Sequence, residues 1–135
     1  MHMGYQAKRC YPDFSKISKT REFIDSITCV IITHFHFDHI GALLYFTEVL
    51  GYEGPIYMTY PTKDLAPLML EDYRKVMVDR KGEEEQFNFL QIQQCMKKVT
   101  AVDLKQTVPV DTDLQIRAYY AGHVCFHKFL ACSII

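Results

Sequence analysis

The hydrophobic pattern of this chain alternates between short apolar runs and longer stretches with helical spacing. Residues 27–32 are apolar and mostly β-branched, which is typical of a buried strand. Strands that alternate with helices in this way indicate the α/β class. The predicted elements, in chain order, are strand 27–33, helix 38–50, strand 55–60, helix 62–78, helix 84–98, strand 100–104 and strand 114–121.

The helical stretches also predict where helices begin and end and which side faces the core. Gly51 suits the end of the first helix, and Thr62 is the candidate N-cap of the second. Asp111-Thr112-Asp113 predicts a turn between the last two strands. The residues predicted to face inward are Ile40, Leu43, Leu44 and Val49 in the first helix, Leu65, Leu68, Met69, Tyr73 and Met77 in the second, and Phe87, Ile92, Cys95 and Met96 in the third.

Composition agrees with one globular α/β unit. The chain has 135 residues, 49% of them hydrophobic, which is enough for one domain with its own core. No apolar run approaches the roughly 20 residues needed to span a bilayer. The first residues lack an apolar segment of the kind found in secretory signals, so we expect the protein not to be secreted.

Net charge and cysteine content indicate which partners and which thiol state to expect. A formal net charge of −1 argues against strong autonomous binding to a polyanion, which draws on clustered Lys and Arg. The modest basic stretch at 74–81 is offset by acidic neighbours and predicts a solvated face. Five cysteines without a C-x-x-C spacing predict reduced, mostly buried thiols, at Cys10, Cys29, Cys95, Cys125 and Cys132.

The candidate chemistry lies directly after the first predicted strand. His34 and His36 are two residues apart and point to the same side of an extended segment, while Asp38 and His39 fall where the first helix begins. Imidazole and carboxylate groups suit Zn²⁺ and similar divalent ions. Half of the six histidines of the chain lie in this window, so a metal site is favoured over packed histidines and over Asp38 as a simple N-cap.

A further histidine, His123, follows the last predicted strand in Ala121-Gly122-His123-Val124. Taken alone, it is typical of a strand-end histidine that bonds to backbone. Next to the first motif, a role as a metal ligand is favoured.

The pattern H-x-H-x-D-H after an apolar strand resembles the hallmark of the metallo-β-lactamase superfamily of metal-dependent hydrolases. The flanking segments resemble the β-CASP group of RNA-processing nucleases. Within this group the chain is most similar to the branch that holds the Integrator endonuclease subunit and its plant counterpart, a type II relative of the endonuclease subunit of the cleavage and polyadenylation specificity factor. The segments that carry this resemblance are Pro12–Ser15, Gly54–Thr62, Leu70–Lys75, Cys95–Val99 and Ala118–Val124.

The resemblance implies a zinc-dependent endonuclease with a four-layer αββα sandwich. His34, His36 and His123 would bind a first zinc ion, and Asp38 and His39 a second. Catalysis would centre on Asp38 and His39, with Asp38 also orienting the nucleophile. Two such ions activate a water and stabilise negative charge on phosphoryl oxygens. The implied partners are RNA and the protein subunits of an RNA 3'-end processing complex. The implied location is the nucleus, with the cytoplasm as a second location.

Parts of the family pattern are missing, and we therefore expect a fragment. Residues 1–124 would form a partial metallo-β-lactamase domain without the opening strands, the later strands and the β-CASP region, and residues 125–135 a tail that does not match. At most one well-formed zinc site is expected, and the chain alone would be inactive. The alternatives are a non-catalytic fragment that binds metal or a partner, and another hydrolase of the same fold, since the first motif alone does not name the substrate.

Overall fold

The computed structural model describes residues 22–80, 87–120 and 132–134, in which helices cover one face of a parallel sheet and an antiparallel sheet packs on the other. The predicted α/β class is confirmed. The elements are α1 (Glu22–Asp25), β1 (Val30–Ile31), α2 (Phe37–Ile40), a π-helical segment (Tyr45–Val49), β2 (Ile56–Thr59), α3 (Tyr60–Lys75), a second π-helical segment (Val76–Arg80), α4 (Phe89–Lys97), β3 (Val99–Val102), β4 (Thr107–Pro109), β5 (Leu114–Arg117) and β6 (Cys132–Ile134).

The parallel sheet has the order β1-β2-β3. Val30 pairs with Ile56, and Ile56 pairs with Val99, so these apolar side chains share one face of the sheet. The central strand β2 is buried along its whole length because both of its faces are covered. A continuous apolar run is typical of such a strand.

Two hydrophobic clusters lie on opposite faces of this sheet. We call the first the helix-side core and the second the ribbon-side core. The helix-side core consists of Ile24, Ile32, Ile40, Leu43, Leu44, Phe46, Tyr52, Ile56, Met58, Ala66, Leu70, Ile92, Cys95, Met96 and Val99. The ribbon-side core consists of Tyr57, Val102, Ile116 and Ala118.

The antiparallel sheet has the order β4-β5-β6 and contributes Ile116 to the ribbon-side core. The predicted turn before β5 is confirmed, because the Asp111 carboxylate accepts hydrogen bonds from the backbone N–H groups of Asp113 and Leu114. Strand β4 was not predicted, and β5 ends at Arg117 rather than continuing to residue 121. The described residues thus supply a helix layer and two sheet layers of the predicted four-layer sandwich.

The first predicted helix differs from the structure in its C-terminal half. The prediction that Val49 faces the core is wrong: its side chain is 49% exposed, while Phe46 and Thr47 are buried. The reason is the π-helical segment, in which Leu50 N–H bonds to the Tyr45 carbonyl five residues back. A π-helical turn holds more residues than an α-helical turn, so the buried side shifts along the sequence.

The second predicted helix begins earlier and turns a different side inward. Thr59, not Thr62, is the N-cap of α3, and the two threonine hydroxyls lie 3.0 Å apart in the first turn. Leu68, predicted to face the core, is 64% exposed, and the buried residues of α3 are Thr62, Ala66 and Leu70. These residues recur every four positions, so they lie on one side of α3.

The third predicted helix is confirmed in its inward side, because Ile92, Cys95 and Met96 are buried. It begins at Phe89 instead of residue 84. Asn88 is its N-cap and forms a capping box with Gln91, in which each side chain accepts a hydrogen bond from the other's backbone N–H. Phe87 precedes the helix and packs against the helix-side core.

The basic stretch is offset by acidic neighbours as predicted, but its Arg74–Glu71 pair is only partly exposed, and of the two thiols at Cys29 and Cys95 only Cys95 is buried. Arg74 bonds to the Glu71 carboxylate through two nitrogens at 2.8 Å, and this bond holds the pKa of Glu71 below its usual range. Cys29 and Cys95 are not in a disulfide, and burial raises the pKa of Cys95. Cys10, Cys125 and the side chain of Cys132 lie outside the described residues. Within the described part of the chain, none of the helices combines the length and apolar character that a membrane span needs.

Candidate metal centre

The motif lies at the carboxyl end of β1, where the chain leaves the parallel sheet and turns into α2. The last sheet bond runs from Ile32 N–H to the Tyr57 carbonyl, and His34 follows two residues later with 1% of its surface exposed. His36 is the N-cap of α2, in an extended conformation. Its carbonyl accepts hydrogen bonds from the backbone N–H groups of His39 and Ile40. The backbone therefore folds the motif back on itself within six residues.

Three imidazole rings meet in this turn. The ring of His34 lies at the middle, with its centroid 4.7 Å from that of His36 and 3.9 Å from that of His39. His34 Nε2 and His36 Nδ1 are 3.2 Å apart. The two histidines of the period-two pair thus aim ring nitrogens at each other, as their spacing in an extended segment predicts.

Asp38 and His39 form a second pair, which is more exposed. Asp38 Oδ2 lies 3.6 Å from His39 Nε2, and the two side chains are 61% and 40% exposed. The N-cap position of α2 belongs to His36, so the alternative of Asp38 as an N-cap is wrong. Asp38 instead occupies the first turn of α2 and lies beside the next histidine.

Thr33 joins the two pairs, and it was not among the predicted site residues. Its hydroxyl lies 3.2 Å from His34 Nδ1 and 3.1 Å from His39 Nδ1. The second of these contacts spans six positions and exists because the chain turns between them. Sequence spacing gave no sign of it.

Aromatic packing holds the turn against the body of the domain. Phe37, inside the motif, stacks on Tyr73 of α3 with ring centroids 3.7 Å apart and an angle of 19° between the planes. Gly41 leaves room for this ring, because a Cβ there would lie 2.8 Å from Phe37 Cζ and 2.7 Å from the Phe37 carbonyl oxygen. Ile40 is fully buried in the helix-side core. The motif is thereby fixed between the sheet and α3.

The spacing of the two pairs fits metal coordination. Two ligand atoms on one tetrahedral zinc, each about 2.0–2.1 Å from the ion, lie roughly 3.3–3.4 Å apart. The separation of His34 Nε2 and His36 Nδ1 is 3.2 Å, and that of Asp38 Oδ2 and His39 Nε2 is 3.6 Å. Each pair therefore has close to the spacing of two ligands of one ion. The donor set, imidazole with carboxylate, is also one that zinc accepts.

Larger ligand groups are not found in the part of the chain that the structure describes. Among residues 22–80, 87–120 and 132–134, no three His, Cys, Asp or Glu side chains are placed to share one ion. His123, the predicted third ligand of the first ion, lies outside the described residues. The structure thus brings together two pairs of possible ligand side chains, and the Thr33 hydroxyl contacts one ring of each pair.

Comparisons with known proteins add the wider context. Residues 3–125 match the model of the metallo-beta-lactamase superfamily domain. Over 124 residues the chain is 69% identical to cleavage and polyadenylation specificity factor subunit 3-II of Arabidopsis thaliana and 60% identical to Integrator complex subunit 11 of Gallus gallus. Over 121 residues it is 35% identical to transcription termination factor FttA of Methanothermobacter thermautotrophicus.

These matches cover nearly all of this chain and a small part of each relative. They span 92% of the chain for the first two and 90% for the third, but 20%, 21% and 18% of the relatives themselves. The chain thus spans about a fifth of the length of the curated relatives that it matches.

Proposed function

Because the chain belongs to the metallo-beta-lactamase superfamily, we propose that it supplies the first ligand motif of a zinc-dependent RNA endonuclease of the β-CASP group. The names of its relatives support this proposal, since they are a cleavage and polyadenylation factor, an Integrator subunit and a transcription termination factor. The substrate is RNA that undergoes 3'-end processing, the partners are the other subunits of such a complex, and the site of action is the nucleus.

In this proposal the two pairs hold two ions. His34 and His36, with His123, bind the first zinc, and Asp38 and His39 contribute to the second. When bound, such ions polarise phosphoryl oxygens and make water a better nucleophile at neutral pH. The observation that carries the proposal is the 3.2 Å separation between His34 Nε2 and His36 Nδ1 at the end of a parallel strand.

The chain's own residues divide the remaining work. His34 is buried, so its ring is held against movement and water is excluded from the side facing the core. Asp38 is exposed, so its carboxylate can reach a substrate or an attacking water beside the ion and orient that nucleophile. Buried ligand and exposed carboxylate thus have distinct roles in one turn.

A second function is favoured by the extent of the matches, which span about a fifth of the length of the relatives. The 135-residue chain by itself would then bind metal weakly or occupy a partner without cutting RNA. The alternative predicts no RNA cleavage by the isolated chain, whereas the endonuclease proposal predicts RNA cleavage when the chain is part of a full-length enzyme.

The test uses a chimera in which the 124 aligned residues of this chain replace the corresponding residues of the Arabidopsis relative, together with the 135-residue chain alone. The variant His34→Ala with His36→Ala should abolish RNA cleavage by the chimera and lower its zinc content, while its thermal unfolding stays close to that of the parent. The matched control is Gln93→Ala with Gln94→Ala, two exposed residues of α4, which should change neither quantity.

Each outcome decides between the functions. If the double histidine variant cuts RNA at the rate of the parent chimera, this pair is not the catalytic centre. Metal-dependent cleavage by the isolated chain would overturn the weaker, non-catalytic alternative for it. Hydrolysis of a thioester or a β-lactam with no cleavage of RNA would keep the metal site but change the substrate class.

A further inference from the structure

The hydroxyl of Thr33 occupies a position between the two ligand pairs that their spacing does not explain. It lies within hydrogen-bond distance of Nδ1 of His34 and of Nδ1 of His39, at 3.2 and 3.1 Å. Both contacts are made to the ring nitrogen on the side away from the partner in the pair, because His34 meets His36 through Nε2 and His39 meets Asp38 through Nε2. The Thr33 hydroxyl thus contacts the Nδ1 side of both rings.

Counting protons limits how this arrangement can work. A threonine hydroxyl has one proton to donate and two lone pairs that accept. It can donate to only one of the two rings, so at least one of the rings must carry its own proton at Nδ1. In a neutral imidazole that proton leaves Nε2 as the acceptor nitrogen.

We propose that Thr33 is a positioning residue that accepts hydrogen bonds from Nδ1–H of both His34 and His39 and so turns both Nε2 atoms toward metal. This inference rests on the proposed metal site and goes beyond it, because Thr33 is not itself a ligand. Metal-binding histidines commonly donate their other ring N–H to an oxygen, which fixes the ring and makes the ligand nitrogen more basic. Here one oxygen serves a ligand from each pair.

The neighbouring contact is consistent with this tautomer. With its proton at Nδ1, His34 presents Nε2 as an acceptor, and His36 Nδ1 lies 3.2 Å away as the donor. A chain of hydrogen bonds then runs from His36 through His34 to Thr33. Replacement of the His36 proton by an ion leaves the bond between His34 and Thr33 unchanged, so the first ligand needs no rearrangement.

The position also links the two ion sites mechanically. Thr33 immediately precedes His34 in the chain, whereas His39 lies in α2. A bond from one to the other fixes the distance between the end of β1 and the first helical turn. Loss of the hydroxyl should therefore weaken both sites together, unlike loss of a single ligand.

The test measures metal binding by the chimera described above. Zn²⁺ affinity is determined by competition with a chelator, and the coordination of the site by the visible absorption spectrum of the Co²⁺-substituted protein. Thr33→Val keeps the β-branched shape and removes the hydroxyl, whereas Thr33→Ser keeps the hydroxyl. Thr28→Val is the matched control, since Thr28 is an exposed threonine in the same segment.

Thr33→Val is expected to lower Zn²⁺ affinity about 10- to 100-fold, the usual effect of losing such a partner, and to change the Co²⁺ spectrum. Thr33→Ser and Thr28→Val should bind like the parent. Equal affinity and an unchanged spectrum in Thr33→Val would overturn the inference. If Thr33→Val does not fold, the comparison of Thr33→Ser with Thr33→Ala decides: equal affinity of these two would also overturn it.

The same experiment separates this inference from the proposed function. If the parent chimera holds no more zinc than His34→Ala with His36→Ala, the metal site itself fails and the role of Thr33 fails with it. If the parent binds zinc at the motif and Thr33→Val binds it equally well, only the role of Thr33 fails.

Discussion

Within the part of the chain that the structure describes, the two faces of the parallel sheet carry cores of very different size: fifteen buried residues form the helix-side core and four form the ribbon-side core. The candidate metal centre belongs to the thicker side, because Ile40 at the end of α2 is part of the helix-side core and Phe37 packs against it. The geometry of the motif is therefore set by helix packing, and the antiparallel sheet mainly closes the opposite face.

The largest expected effect is a loss of stability from truncation on the helix side. Met58 and Ile116 are both fully buried, one in each core. Met58→Ala should cost about 2–5 kcal/mol of unfolding free energy, toward the upper end, because the surrounding residues cannot collapse into the cavity. Ile116→Ala should lie near the lower end. Urea unfolding of the 135-residue chain measures both.

The exposed Leu68 supplies the control for this comparison. Leu68→Ala should change the unfolding free energy by less than about 0.5 kcal/mol. If Ile116→Ala proves as costly as Met58→Ala or more costly, the helix-side core does not contribute more to stability than the ribbon-side core.

An intermediate effect is expected from Gly41→Ala, which tests whether the helix side positions the motif. The added Cβ would lie 2.7 Å from the Phe37 carbonyl oxygen, so the ring or α2 must move. Overpacking of this kind costs about 1–3 kcal/mol, more than alanine gains over glycine in a helix, roughly 1 kcal/mol. Because Phe37 lies between His36 and Asp38, the zinc affinity of the chimera should fall as well.

Gly54→Ala is the matched control, because it introduces a similar steric clash outside the motif. Its Cβ would lie 2.5 Å from the Tyr52 hydroxyl, in the loop before β2. This variant should lose stability with no change in zinc affinity. Equal zinc affinity in Gly41→Ala and Gly54→Ala would show that Phe37 does not position the ligands.

The smallest expected effect comes from a comparison of one tyrosine from each core, and its signature is the change of stability with pH in the alkaline range. Burial, with Cys29 and Tyr57 nearby, raises the pKa of Tyr52 to about 12, and burial also raises the pKa of Tyr57. An unfolded chain releases these protons near pH 10, so the stability they contribute is present below about pH 10 and is lost as the pH rises toward 12.

Tyr52→Phe should remove more of this alkaline loss than Tyr57→Phe. At neutral pH it should cost about 1 kcal/mol, since the Tyr52 hydroxyl donates to the Pro55 carbonyl. The measurement is the urea midpoint as a function of pH for the parent and both variants. A larger change in the pH dependence for Tyr57→Phe would place the more strongly shifted tyrosine in the ribbon-side core.

The local sequence pattern was sufficient to predict structural features that depend on residues close to one another in the chain. The inward residues Ile92, Cys95 and Met96 followed from helical spacing, and the turn at Asp111 followed from its carboxylate and the N–H groups just after it. The meeting of His34 with His36 followed from the two-residue period of an extended segment. These relations span at most a few residues.

The hydrophobic pattern predicted the wrong buried residues where packing against another element decides which side of a helix is covered. Val49 is apolar and at helical spacing, but the π-helical segment that contains it turns it to solvent. Leu68 is exposed because the buried side of α3 is the one that carries Thr62 and Ala66. Neither the π-helical turn nor this choice of side has a sign in the local sequence.

The order of the amino acids is enough to supply the ligand chemistry of the motif, which has three imidazoles and a carboxylate within six residues after an apolar run. The way in which these groups are held depends on tertiary contacts. The hydroxyl of Thr33 meets His39 because the chain turns between them, and Phe37 stacks on Tyr73, 36 residues later, because α3 lies across the turn. Residue type fixes which atoms can bind a metal ion, whereas their orientation depends on contacts that form only when distant segments pack together.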